Sequence, residues 1–235
     1  MKRIVLLLLL SFGLSATAQI KNELVNHYKD YYKQMRAQGD VRGAINALTH
    51  LNILAPAKAQ KDTLAYLYAN SGQYLQAVNV LGTEKNATDS ELAIKIKAVS
   101  LKSLNQPQLA VQHYETLYKR KPDVYVAYEL ADLNLQIGKT AEAEKHIKYG
   151  LANAKDDNMQ SFYESNPPYQ VPLKAAFTYL NGLLQYNKDK TNIDGAIKSI
   201  NDAINLAPGF TLATQIREAL LNQKQQGAAA GTNKQ

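Results

Sequence analysis

Four histidines, His27, His50, His113 and His146, and a few grouped acids are the side chains of this 235-residue chain that could do acid–base or metal chemistry. The histidines are scattered without metal-ligand spacing. His113 and His146 each precede a large apolar residue, Tyr114 and Ile147, and are expected on the exposed flanks of their helices. Asp156 and Asp157 form an acidic pair, but two charges at a helix end are commonly just solvated. The run Asn187, Asp189, Thr191, Asp194, Gly195 has the outline of a calcium loop, and apolar Ile193 breaks the alternation of oxygen ligands that such a loop needs. Glycine-rich phosphate loops, H-E-x-x-H and G-x-S-x-G are absent. With no cysteine there is no thiol nucleophile, thiolate metal site or disulfide. The chain reads as non-enzymatic, without metal or cofactor; an enzyme site at the 155–172 segment is the weakest of the alternatives.

The elements behind these residues are helices in a fixed rhythm. Ala44, Ala77, Ala110 and Ala143 recur every 33 residues, as do Ala65, Ala98 and Ala131 in the helices before them. Between the helices stand Gly39, Gly72, Asn105 and Gly138 in the same register. Small residues let two helices approach, and Gly or Asn tolerates the left-handed backbone that ends one helix and reverses the chain. Four residues after each second-helix alanine comes a large apolar residue, Leu48, Leu81, Tyr114 or Ile147, one helical turn along the buried stripe. Ala196, Ile200, Ala203 and Pro208 repeat the spacing of Ala110, Tyr114, Leu117 and Pro122.

This pattern resembles the tetratricopeptide repeat, with Pro56 and Pro122 where that repeat places its closing proline. It departs from the family in lacking a Trp in any first helix, in carrying Tyr32 at the small position of the first copy, and in lacking the closing proline after the second and fourth copies. The resemblance implies an all-α, right-handed α-solenoid of about five helix-turn-helix repeats. These are expected at about 22–56, 57–89, 90–122, 123–155 and 172–208, with a capping helix at 211–224. An inserted loop, 155–172, carries Phe162, Tyr163, Tyr169 and two prolines and is expected to pack on the array. Asp40 and Thr140 are expected to cap second helices, and the small polar tail 225–235 to be disordered.

Met1, Lys2 and Arg3, the apolar run Ile4–Leu10 and then Ser15–Ala18 have the three parts of a secretory signal peptide, 1–18, with cleavage expected before Gln19. The apolar stretch is short of the roughly twenty residues a membrane span takes. An exported bacterial envelope protein, periplasmic or secreted, is expected, and without cysteine it is not a lipoprotein. Loss of Lys2 and Arg3 takes the formal charge from +7 to +7 − 2 = +5. No nucleic-acid-binding motif accompanies this mild excess.

In the family it resembles, the first helix of each repeat lines a concave groove. Carried over by register, the lining is Lys29, Lys33 and Arg36, then Asp62, Tyr66 and Asn70, then Lys95, Val99 and Lys102, then Tyr125, Tyr128, Asp132 and Gln136. The family's carboxylate-clamp pattern is not reproduced. Basic, aromatic and amide groups together suit another protein or an extended, acidic peptide. The alternatives are an anionic glycan or other polyanion held by the basic side, and an ordinary solvated set of helix faces.

Overall fold

The computed structural model describes the backbone of residues 2–232 and the side chains of residues 19–226. It divides into two compact units, Met1–Gln106 and Pro107–Gln235, the boundary falling between the two helices of the third copy. The first unit holds α1 (Lys2–Ala37), α2 (Val41–Leu54), α3 (Lys58–Asn70), α4 (Tyr74–Leu81) and α5 (Glu91–Ser103). The second holds α6 (Pro107–Arg120), α7 (Val124–Gln136), α8 (Thr140–Asn153), strands β1 (Met159–Phe162) and β2 (Tyr169–Pro172), then α9 (Leu173–Lys188), α10 (Ile193–Leu206) and α11 (Thr211–Thr232). The backbone of α1 is continuous through the position before Gln19 where processing is expected; the side chains of the leader, 1–18, lie outside the described residues. Among the described residues no helix is long and apolar enough to cross a membrane.

The small residues do the work their spacing implies. Ala65, Ala98 and Ala131 of the first helices and Ala77, Ala110 and Ala143 of the second helices have no exposed surface. In the fifth copy Gly182 takes the slot: a Cβ there would stand 2.6 Å from Ile200 Cγ1 and 3.1 Å from the Ala196 carbonyl. The four turns are built alike. Gly39, Gly72, Asn105 and Gly138 adopt φ of 72°, 73°, 55° and 75°. One residue later an N–H closes on a carbonyl five residues back: Asp40 to Met35 at 2.9 Å, Gln73 to Tyr68 at 2.9 Å, Gln106 to Leu101 at 2.9 Å and Lys139 to Asn134 at 2.8 Å. This is the Schellman bond, and it repeats at the 33-residue interval.

Several expectations are corrected. Thr140 is the first helical residue of α8; the cap position is Lys139, which makes no side-chain cap bond. Helix α4 ends at Leu81, because Gly82 leaves the helix at φ 79°, and the remainder of the second copy, to Asp89, is not helical. The tail is helical to Thr232 rather than disordered from residue 225, Ala228–Ala230 being strong helix formers; residues 233–235 lie outside the described residues. The second copy has no closing proline, and a buried ion pair stands there instead. Lys97, 2% exposed, donates to Asp89 Oδ2 at 2.7 Å and to the Glu84 carbonyl at 2.8 Å, pinning the α4–α5 connection to α5.

The insertion adds a feature to the all-α array: an antiparallel hairpin pairing Met159 with Pro172 and Phe162 with Tyr169. Phe162 and Val171 enter the core of the second unit, with half-buried Gln160 on the same face opposite Val171, while Ser161 and Gln170 pair on the other face. Phe162 stacks on Tyr169 and tilts against Phe210 at 4.8 Å, and Tyr179 meets Phe210 at 5.2 Å. The Leu212 N–H donates to the Tyr169 hydroxyl at 3.0 Å, so the hairpin also ties down the start of α11. Tyr163, 77% exposed, takes no part in this packing.

His113 and His146 are buried, at 1% and 3% exposed, and not on exposed flanks. Each follows a second-helix alanine by three residues, so it rides the edge of the buried stripe. His146 sits edge-on to Tyr118 at 4.8 Å, and its Nδ1 is buried with no hydrogen-bond partner. Burial, with Lys145 adding to it, lowers the imidazole below its ordinary 6.5, against a smaller opposing pull from Glu142 and Glu115. A depressed folded value means that the unfolded chain takes the proton more readily. Stability contributed by neutral His146 is therefore complete above about pH 6.5 and is lost as the pH falls below it. Thermal melts should show a steeper loss between about pH 7.5 and 5.5 for the native chain than for His146→Gln; equal slopes would refute the assignment.

Candidate functional site

The basic residues of α1 stand over an apolar crevice in the first unit. Its walls are Lys29, Tyr32 and Lys33 from α1 and Ala59, Gln60 and Thr63 from α3, with Leu48 and Leu51 of α2 beneath; its volume is about 310 Å³. A second depression of about 330 Å³ continues along α1 between Tyr32, Lys33, Arg36 and Ala37. Residues 29, 33 and 36 share one face because they lie about one turn apart.

The local chemistry is cationic at the rim and dry at the floor. The Arg36 guanidinium lies 5.8 Å from the centre of the Tyr32 ring. Lys33 meets Asp30 at 2.9 Å, both about three-quarters exposed. Such a surface pair contributes on the order of 0–1 kcal/mol and does not hold the ammonium against a competing carboxylate. No carboxylate lines either depression. Leu48 and Leu51 are buried apart from this opening, and Gln60 Oε1 is buried without a hydrogen-bond partner.

The register-derived lining divides into residues that face solvent and residues that do not. Lys29, Lys33 and Arg36 come together as described. Tyr66 (43% exposed), Asn70 and Lys95 are exposed on α3 and α5, outside the walls of these depressions. Lys102 and Val99 are half-buried on α5. Asp62 is not a lining residue: it is buried and accepts from Ser90 Oγ at 2.7 Å, while Ser90 Oγ accepts the Ala93 N–H and so caps α5.

In the second unit Tyr125 is 42% exposed, and Asp132 is half-buried, accepting from Gln136 Nε2 at 3.0 Å. Tyr128 is corrected from ligand contact to core. It is 5% exposed and edge-on to Phe177 at 5.6 Å, and burial, reinforced by Asp132 and Glu129, pushes its hydroxyl well above the ordinary tyrosine range. The equivalent position of the second copy, Asp62, is buried as well, so this register position is not a reliable lining position in the array.

Two residues of consequence escaped the sequence reading. Lys97 was visible in principle, since Ala93, Ile94, Ala98 and Leu101 place it in the middle of a buried stripe. Gln60 carried no signal, because its role comes from the opening beside Tyr32.

Neither a family model nor a curated protein sequence matches the chain. Solved structures do. A tetratricopeptide repeat protein from Parabacteroides merdae is 18% identical, with a TM-score of 0.61, over 91% of this chain and 77% of that one. YrrB, described as a TPR protein with an unusual peptide-binding site, is 15% identical, with a TM-score of 0.64, over 86% of this chain and 97% of its own. The Cut9–Hcn1 assembly of the APC/C matches at 15% identity and a TM-score of 0.51, covering 88% of this chain and 38% of that chain. The architecture is the tetratricopeptide-repeat fold, an all-α helical-repeat solenoid.

Proposed function

We propose that this chain, built on a tetratricopeptide-repeat fold, is a non-catalytic scaffold that holds another protein or an extended peptide, and that it works in the bacterial cell envelope after export. The observation that carries the reading is the α1–α3 crevice, with lysines at its rim, leucines at its floor and no carboxylate in its walls. The peptide-binding description of YrrB, a structural neighbour of nearly the same extent, supports it. The apolar floor favours a peptide over a simple polyanion, since a polyelectrolyte complex draws on charge alone and weakens steeply with salt.

The test is crosslinked capture from native envelope extract. Lys33→Glu combined with Lys95→Glu should abolish capture of the partner and leave the helical circular dichroism unchanged, because both side chains are exposed and neither holds the fold. Undiminished capture would remove the basic face from the proposal.

A further inference from the structure

Position 32 is where the array departs from its own packing rule. In the next three copies the equivalent residues are Ala65, Ala98 and Ala131, each without exposed surface. A methyl at this point lets the two helices of a hairpin close on one another. In the first copy the slot carries Tyr32, whose ring cannot enter a space sized for a methyl. It stands half-buried as a wall, over the floor made by Leu48 and Leu51. The irregularity leaves an opening of about 310 Å³, large enough for one aromatic or branched aliphatic side chain.

What surrounds the opening restricts its occupant. Lys29 and Lys33 stand at its rim, and Arg36 lies one turn on beside the same ring. The walls offer a basic segment no carboxylate, and nearby Asp30 is engaged by Lys33, whereas carboxylates on either side of an apolar residue would meet these cations. Gln60 Oε1, buried in the wall and unpartnered, offers an acceptor for a backbone N–H of the occupant.

Resting on the binding reading above, we propose that this crevice is an anchor pocket. It takes a single large apolar side chain, presented by an extended peptide with acidic residues on both sides of that anchor. The pocket exists because Tyr32 replaces the small residue of the repeat, so it belongs to the first copy and not to the array as a whole.

The test uses three fluorescently labelled peptides, acetylated and amidated so that their ends carry no charge: Glu-Glu-Phe-Glu-Glu, Glu-Glu-Ala-Glu-Glu and Lys-Lys-Phe-Lys-Lys. Binding to the full chain is read by fluorescence anisotropy at physiological salt. The acidic Phe peptide should bind at least about tenfold more tightly than the acidic Ala peptide, from burial of one aromatic side chain, and the basic peptide should not bind.

Ala59→Trp, placed at an exposed rim residue so that it fills the mouth without touching the core, should cost about tenfold for the Phe peptide and little for the Ala peptide. Lys29→Glu with Lys33→Glu should weaken both. Tyr32→Ala, which gives the first copy the residue of the next three, should also lose the Phe preference; circular dichroism on each variant separates loss of the site from loss of the fold.

Equal affinity for the Phe and Ala peptides, or indifference to Ala59→Trp, would overturn the anchor pocket and leave only a charged surface. Failure of every peptide to bind would overturn the pocket's chemistry. The scaffold reading is decided separately, by the capture experiment on Lys33 and Lys95.

Discussion

A chain ended at Pro208 is expected to be recovered as aggregate, or as a partly melted species that binds apolar dyes. The truncation removes Phe210 and Ala213, both without exposed surface, together with Leu220 at 5%. Loss of the Phe210 ring alone is of the size that costs about 3–5 kcal/mol when a buried phenylalanine is cut to alanine. It also uncovers the faces of α9 and α10 that α11 shields, including those against which Leu212, Ile216 and Leu221 pack. Phe162, Tyr169 and Tyr179 lose their common neighbour, and the Tyr169 hydroxyl loses the Leu212 N–H. Two exposed polar contacts, Tyr186 Oη to Gln223 at 2.9 Å and Lys224 to Asp194 at 2.6 Å, position the helix and contribute little energy of their own. A helical array needs its last apolar face covered. A soluble, monodisperse and fully helical truncation, measured by light scattering and circular dichroism, would show that α11 is dispensable.

The second large effect is expected at Lys97. Its ammonium is buried between Asp89 Oδ2 and the Glu84 carbonyl. Lys97→Ala leaves a nearly buried carboxylate and a carbonyl without their cation, a loss of about 3–5 kcal/mol for a broken buried pair. The replacement of both partners has a different expected result. Lys97→Met with Asp89→Leu removes two charges from a poorly solvated place and should be much closer to the native stability than Lys97→Ala alone. Urea unfolding of the three proteins decides this. Equal stability of Lys97→Ala and the native chain would mean that the pair does not hold the connection between α4 and α5. The second copy lacks the proline that ends the first and third. A covalent stop and a buried ion pair are then alternative ways of ending a copy.

The helical frame was legible because its determinants are single residues with narrow requirements. Alanine in a helix crossing and glycine at positive φ can be replaced by few others, so their recurrence at 33 residues survives in one sequence. The fifth copy was legible for the same reason, from Ala196, Ile200 and Ala203. The hairpin was not, because each strand is only four residues long and the alternation of Phe162 and Val171 with outward polar residues is too brief to set against an irregular loop. The histidines were misplaced because a polar residue at the edge of a stripe reads the same whether the neighbouring helix covers it or not. His146 is covered by Tyr118, and nothing local announces it.

The basic face of α1 could be read from the helical period, but the crevice under it could not. A register supplies which residues share a side, while a cavity depends on the misfit of one ring at one crossing. Tyr128 shows the converse: its register places it in the groove lining, and the structure packs it edge-on to Phe177 in the core. Tyr32 and Tyr128 are the same residue at different repeat positions, and the local space decides which becomes wall and which becomes core.

The hairpin also closes on itself at its base. The Leu173 N–H reaches the Asn158 carbonyl at 2.8 Å, so the chain leaves the array and re-enters it at nearly one point. The foreign segment therefore subtracts nothing from the spacing of α8 and α9. Its outer end, from Tyr163 to Pro168, lies beyond the two residues that reach the core, Phe162 and Val171. That tip is accordingly a port in the molecule: an epitope, a fluorophore-bearing loop or a whole small domain whose own ends lie close together can be spliced there while the helices on either side keep their partners.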